Sequence, residues 1–224
     1  MTDSTPPDWF ARVDEAEDEE FYRGPRRVVH IDDGAIAAVG EIYASRIAEG
    51  SEILDLMSSW RSHLPERMRP ARVTGLGLNR AEMEDNPALH AIVIHNVNRD
   101  QRLPFPDRSF DAVVMTVSVQ YLTQPIATFR ETGRVLRPRG CFIVTFSNRM
   151  FSTKAVALWQ RATYQDRVEI VKRYFAQSGA FENIEIIDMS RRQGAAESAT
   201  RGQSTVFDPP SDPIWGVIGY TPGV

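Results

Sequence analysis

The sequence has 224 residues and a formal net charge of −4, and 42% of its residues are hydrophobic and 25% charged. This length and composition fit one globular domain and exclude wholly disordered, collagen-like and fibrous chains. The acidic balance gives no overall attraction to polyanions, so we expect neither nucleic acid nor a membrane as a partner. One cysteine, Cys141, and four scattered histidines predict no disulfide and no metal site.

The lack of long apolar runs and the acidic first twenty residues bear on where the protein is located. No apolar run reaches the eighteen or more residues of a membrane span, and the first twenty residues are acidic where a secretory signal is basic and then apolar. We therefore expect a cytoplasmic protein. Residues 1–20 are too polar to pack, which predicts a flexible acidic arm followed by one domain over residues 21–224.

Helices and strands alternate along the predicted chain. Asp32 or Asp33 can cap a first helix, whose apolar positions recur at helical spacing and stop at Gly50. Asn79 can cap a short helix, with Glu82 at the spacing of a capping box. Apolar segments around that short helix predict strands at residues 52–57, 72–78, 91–97 and 112–119.

A second series of elements fills the C-terminal half. A helix opens at Thr123 and ends before Pro138, and Gly140 tolerates the positive φ of a turn there. The remaining predicted elements are a strand at residues 141–146, an amphipathic helical stretch at 154–177, and strands at 184–189 and 214–220 around a loop at 190–213.

This alternation predicts an α/β fold with a parallel, doubly wound sheet and helices on both faces. In such sheets ligands bind outside the carboxyl ends of the strands, near the switch point. The positions to expect at a site are therefore residues 55–60, 77–79, 96–98 and 116–121.

Two segments carry a family resemblance. Residues 103–114 read LPFPDRSFDAVV, and residues 131–140 read ETGRVLRPRG. Both resemble the class I S-adenosylmethionine-dependent methyltransferases of the type 11 group, whose pattern is LPFPD-x-SFD-x-V followed by E-x-x-R-V-L-x-P-G-G. The resemblance implies a mostly parallel, seven-stranded Rossmann-like sheet with one antiparallel strand. It also implies an enzyme that transfers a methyl group from S-adenosylmethionine to a small-molecule acceptor.

The chain departs from this family at the cofactor motifs. Family members usually continue from strand one with D-x-G-x-G-x-G, where this chain has Asp55 followed by LMSSWR and no glycine. The family's ribose-binding acid falls at Gly77, with Asn79 as the nearest polar substitute. Its adenine-binding acid falls at Asn96, whose amide can accept a hydrogen bond without charge assistance.

These departures leave two interpretations open. A subgroup of similar proteins has LDLMSSW-x-SHLP instead of the glycine motif and PR-x-V-x-HID before the first helix, and this chain has both, at residues 54–65 and 25–33. The missing glycines therefore fit a subgroup trait. The alternative is a non-catalytic binding or scaffold protein that keeps the architecture but has a degenerate cofactor site.

The resemblance and the strand ends together give the expected site residues. His30 is the candidate general base, and Tyr121 lies beside the transferred methyl group. Tyr22 and Arg26 would cover the sulfonium and the carboxylate of the cofactor, with a surface arm as the alternative for them and for His30. Packing against the following helix is the alternative for Tyr121. Trp60 is interpreted as packing. The residues expected to bind the cofactor are Tyr22, Arg26, Asp55, Leu56, Met57, Ser58, Ser59, Gly77, Leu78, Asn79, Asn96, Val97, Asn98 and Thr116.

Overall fold

A computed structural model describes residues 8–190 and 211–223. Its centre is one sheet with the strands β1 (Glu52–Leu56), β2 (Arg72–Gly77), β3 (Ala91–Ile94), β4 (Phe110–Thr116), β5 (Leu136–Phe146), β6 (Glu182–Asp188) and β7 (Trp215–Tyr220). The strand order is β3-β2-β1-β4-β5-β7-β6. Strands β1 to β5 pair in parallel, and β7 is antiparallel to both β5 and β6. The prediction of a mostly parallel seven-stranded sheet with one antiparallel strand is confirmed.

Helices cover both faces of this sheet. They are α1 (Asp18–Phe21), α2 (Asp33–Arg46), α3 (Arg80–Glu84), α4 (Pro125–Val135), α5 (Ala157–Arg161) and α6 (Tyr164–Ser178), with a short 3₁₀ turn at Val119–Tyr121. On one face, Ile42 and Tyr43 of α2 are buried in an aliphatic core. On the other face, Phe129 of α4, Phe142 of β5 and Phe175 of α6 pack edge to face. Burial of apolar surface on both faces holds the strand ends in place.

Several predicted boundaries are wrong in detail. The helical stretch at 154–177 is broken into α5 and α6, because Thr163 starts a new helix with a capping box to Asp166. The predicted positive φ at Gly140 belongs instead to its neighbour Arg139, at 63°. Gly140 is needed for space, since a Cβ there would lie 2.8 Å from the carbonyl oxygen of Arg137. The predicted loop at 190–213 falls largely on residues 191–210, which lie outside the described residues.

Residues 8–20 lie against the domain, unlike the expected loose arm. Leu158 N–H donates to the Trp9 carbonyl at 2.9 Å, and Asp14 N–H donates to the Thr153 carbonyl at 2.8 Å. Lys154, which is fully buried, donates through Nζ to the Ala16 carbonyl at 2.6 Å. The acidic run therefore has a buried cation to pair with, which its composition alone did not reveal.

Among the described helices, none is long and apolar enough to cross a membrane.

Candidate functional site

A cavity of about 410 Å³ opens at the carboxyl ends of β1 to β4. This is the edge at which parallel open sheets bind ligands. The structure brings all but one of the predicted site residues to its wall; the exception is Leu56, whose side chain is fully buried in the core. The predicted residues that line the cavity are Tyr22, Arg26, His30, Asp55, Met57, Ser58, Ser59, Gly77, Leu78, Asn79, Asn96, Val97, Asn98, Thr116 and Tyr121.

The loop after β1, residues 57–63, which we call the serine loop, is held by its own hydroxyl groups. Ser58 Oγ and Ser62 Oγ each donate to Asp55 Oδ2 at 2.6 Å. Ser59 Oγ donates to the carboxylate of Glu82 at 2.6 Å. Hydrogen bonds to two buried carboxylates thus fix a loop that contains none of the family's glycines.

Met57 occupies the first glycine position of the family motif and keeps a glycine-like backbone. Its φ is 61°, in the left-handed region that side chains disfavour by roughly 1–2 kcal/mol. The chain therefore makes a left-handed turn at the end of β1 without a glycine.

Because of this strain, we expect glycine to be more stabilising than alanine at position 57, the reverse of the usual order. Met57→Gly should be more stable than Met57→Ala by about 1 kcal/mol, because both lose the side chain but only glycine relieves the backbone. At Met68, where φ is not positive, the order should be reversed, since glycine costs more chain entropy than alanine. Urea denaturation of the four variants checks this. Alanine at least as stable as glycine at position 57 would contradict it.

Gly77 shows why the ribose-binding acid of the family is absent from β2. A Cβ at this position would collide with the carbonyl oxygen of Ser58, because the serine loop runs directly over the strand end. Only glycine fits beneath that backbone. Glu82 of α3, 5% exposed, brings a carboxylate into the same part of the cavity wall. A carboxylate thus reaches this wall from the next helix, five positions later along the sequence.

The predicted polar substitute, Asn79, is used by the protein itself. Its Oδ1 caps α3 by accepting from Glu82 N–H at 3.0 Å, and its Nδ2 donates to the Tyr22 carbonyl at 2.8 Å. Asn79 therefore anchors the segment above the cavity. Glu82 Oε1 accepts from the backbone N–H of Arg26 at 2.5 Å and fixes the same segment.

The end of β3 is tied to the N-terminal segment. Asn96 Nδ2 donates to Glu19 at 2.9 Å, and Asn98 Nδ2 donates to Asp18 at 2.8 Å. Asp18 is 5% exposed and also accepts from Arg12 at 2.6 Å. Carboxylates therefore stand next to the two asparagines, although neither belongs to the strand end where the family places its acid.

Aromatic side chains surround the guanidinium of Arg26. Its central carbon lies 4.3 Å from the ring centroid of Phe21, 5.6 Å from that of Tyr22 and 5.4 Å from that of Phe151. Nη2 donates to the Phe21 carbonyl at 2.8 Å, whereas Nη1 is buried and has no hydrogen-bond partner among the described residues. A buried unpaired donor is costly, so Nη1 is suited to receive an anionic group from a ligand.

Both predicted catalytic residues are neighbours of Phe151. The Tyr121 hydroxyl oxygen accepts from Phe151 N–H at 2.8 Å, and the ring of His30 stands edge-on to that of Phe151, 4.9 Å between centroids. Tyr121 both lines the cavity and packs, so the two alternatives for this side chain, pocket lining and packing, both apply. Burial lowers the pKa of His30, opposed by Glu82 and aided by Arg26.

Sequence reasoning missed a group of lining residues from distant parts of the chain. Trp60, interpreted as packing, also lines the wall. No local pattern marks these positions, because periodicity and turn signals describe neighbours along the chain. The missed residues that carry charged, titratable or aromatic side chains include Arg12, Asp18, His63, Glu82, Phe151 and Lys154.

Comparison with known proteins agrees with this geometry. Residues 59–144 match the family model described as a methyltransferase domain, of type 11. A fatty-acid O-methyltransferase of Mycolicibacterium smegmatis is 34% identical over 119 residues, which cover 51% of this chain and 42% of that protein. The chain thus spans about two fifths of the length of the curated relative it matches.

Solved structures share the fold at low identity. The cyclase SpnF superimposes with a TM-score of 0.60 and 17% identity, covering 92% of both chains. An S-adenosylmethionine dependent methyltransferase from Mesorhizobium loti gives a TM-score of 0.52 and 14% identity, covering 80% of this chain and 96% of the other. The strand order and these structural matches show a methyltransferase fold, within which residues 59–144 match the methyltransferase domain model.

Proposed function

We propose that the protein transfers the methyl group of S-adenosylmethionine to a small-molecule acceptor. The observation that carries this proposal is the cavity at the ends of β1 to β4, which contains a buried, unpartnered guanidinium nitrogen on Arg26. A ligand with an amino-acid carboxylate supplies the acceptor that this nitrogen lacks. The fatty-acid O-methyltransferase relative supports a small acceptor.

The residues present fit the cofactor without the family's glycines and acids. We place the amino-acid portion over Met57, Ser58 and Ser59, with its carboxylate toward Arg26. The adenine lies near residues 96–98. The Glu82 oxygens, which accept from Arg26 N–H and Ser59 Oγ, keep further lone pairs for the ribose hydroxyls. Asp55 Oδ1 has no hydrogen-bond partner among the described residues, so it is free to accept from an ammonium group.

The chemistry asks for alignment more than for reactive side chains. When bound, S-adenosylmethionine supplies an activated methyl group. The aromatic side chains Phe21, Tyr22 and Phe151 exclude water and favour a neighbouring positive charge through their ring faces. Thr116 and Tyr121, at the end of β4, border the space in which an acceptor would stand. Holding the two reactants together is the main contribution of such a site.

Calorimetric titration of S-adenosylmethionine tests the cofactor site. Arg26→Ala should weaken binding about ten- to a hundredfold, the value of one charge-assisted hydrogen bond. Arg27→Ala is the matched control, because Arg27 is exposed, pairs with Asp85 at 2.5 Å and does not line the cavity. Its affinity should stay within about twofold of wild type.

The measured affinities decide between the proposed site and its alternatives. Equal affinity in the two variants would remove Arg26 from the site. Failure of the wild-type protein to bind at millimolar cofactor would favour the non-catalytic alternative, a binding or scaffold protein.

A further inference from the structure

Two of the four histidines make no ring hydrogen bond to any part of the chain that the structure describes. His90 accepts a strand N–H through Nδ1 at 3.1 Å, and His95 Nε2 pairs with a backbone carbonyl at 2.7 Å. Neither His30 nor His63 hydrogen-bonds through its ring to any residue that the structure describes, and both line the cavity. Because no described protein group occupies their ring nitrogens, both rings are free to hydrogen-bond a ligand in the cavity.

His63 is also held in a strained backbone. Its φ is 55°, a left-handed value that a histidine adopts at a cost. The serine loop imposes this value, because Ser62 next to it donates to Asp55 and accepts from Asn86 Nδ2 at 2.9 Å. The imidazole is therefore fixed at the cavity wall by the same hydrogen bonds that shape the serine loop.

Burial first, and neighbouring cations second, favour the neutral form of both rings. Burial lowers the pKa of His63 to about 4, with further lowering by His30 and Arg61. Burial likewise lowers the pKa of His30, where Arg26 acts in the same direction and Glu82 opposes it. A neutral imidazole offers one N–H and one lone pair, so the pair can both donate to and accept from one ligand group.

The charge of the cavity wall narrows the acceptor class. Five cationic side chains but only three carboxylates line it, which disfavours an ammonium-bearing acceptor. A carboxylate acceptor carries no proton at neutral pH, so it leaves two neutral imidazoles without a proton to take. A hydroxyl group carries a proton and both donates and accepts, and it therefore matches the pair.

We propose that the acceptor is an apolar compound with a weakly acidic hydroxyl, such as a phenol, and that this hydroxyl binds between His30 and His63. The proposal rests on the methyl transfer proposed above and names its acceptor. The hydroxyl oxygen forms the new bond to the methyl carbon as the carbon–sulfur bond breaks and sulfur keeps the electron pair. The hydroxyl proton passes to a ring nitrogen of His30 and then to water, while His63 holds the oxygen in place.

An apolar body has a place beside the two rings. Val28 and Val29 line the cavity although 53% and 44% of their surfaces are exposed. Met150 and Phe151 face the same space from the segment after β5. A hydrocarbon substituent on the acceptor would cover these side chains.

Two acceptors that differ only in the reacting group test this. A para-alkylphenol and the para-alkylbenzoic acid of the same chain length are given to wild-type protein loaded with S-adenosylmethionine, and methylated product is measured. The phenol should react faster. His30→Gln should slow phenol methylation roughly a hundredfold, and His63→Gln about tenfold, with cofactor affinity unchanged. The control His90→Gln, outside the cavity, should match wild type.

The pH profile gives a readout that a merely structural role would not move. In wild type, phenol methylation should fall with decreasing pH as His30 becomes protonated, and this inflection should vanish in His30→Gln. Faster reaction of the benzoic acid, reaction of neither compound, or phenol rates within threefold of wild type in both variants would overturn the proposal. Cofactor affinity is measured on the same samples, so absence of cofactor binding marks failure of the proposed function instead.

Discussion

Deletion of residues 1–20 is expected to destabilise the protein by about 3–5 kcal/mol. Within the described residues, the deletion removes both carboxylate partners of Lys154, whose Nζ lies 3.3 Å from Asp14 Oδ2 and 3.4 Å from Asp18 Oδ1. Lys154 is fully buried, and breaking a buried pair by removing one side leaves an uncompensated charge. For a chain of this size, the melting temperature should fall by roughly 6–20 °C, measured by circular dichroism.

A second substitution separates the buried charge from lost packing. Lys154→Met should restore part of the stability of the truncated protein, because it removes the unpaired charge and keeps an unbranched side chain of similar length. The matched control is Lys172→Met, at a partly exposed lysine that pairs with Glu169 at 2.7 Å; it should restore nothing. A truncated protein that melts within a few degrees of the full chain would support a loose arm after all.

The sheet and the location of the cavity could be predicted from the sequence because both follow from local signals. Apolar runs predicted every strand of the described residues, and the segments LPFPDRSFDAVV and ETGRVLRPRG resemble a methyltransferase pattern. In a parallel sheet the carboxyl ends lie at one edge, so strand ends predicted neighbours in space. Fifteen of the sixteen predicted residues lie on one cavity wall for this reason.

The parts that could not be predicted depend on pairs far apart in sequence. An acidic run such as residues 14–20 is ordinarily solvated, and only the buried Lys154, more than a hundred residues away, makes it part of the fold. In the same way, Gly77 stands where the family has an acid, so the sequence suggested that a carboxylate was missing there. The structure shows that the serine loop takes that space and that Glu82 brings a carboxylate to the same loop.

Asp55→Asn is expected to stabilise the protein at neutral pH while weakening cofactor binding. Asp55 is 3% exposed, and burial raises its pKa to about 6 in spite of the two hydrogen bonds from Ser58 and Ser62. An aspartate has an ordinary pKa of about 3.9, and each unit of difference is worth about 1.4 kcal/mol. Keeping the charge in the fold therefore costs about 3 kcal/mol at neutral pH, a cost that asparagine avoids.

The pH dependence has a definite sign. Because the folded state holds the Asp55 proton more tightly than the unfolded state, stability falls as pH rises from about 4 to about 6 and is level above that. The gain from Asp55→Asn should therefore be largest at pH 7.5, up to about 3 kcal/mol, and small near pH 4.5. Urea denaturation at the two pH values measures it.

An exposed aspartate with a similar partner provides the comparison. Asp188 accepts from Ser190 Oγ at 2.5 Å but lies at the surface, so Asp188→Asn should show no gain that grows with pH. An equal gain for Asp55→Asn at both pH values would show that its charge is not the source of the cost. A stability gain accompanied by weaker binding of S-adenosylmethionine would mean that the fold tolerates a destabilising carboxylate at the end of β1 because the ligand needs it.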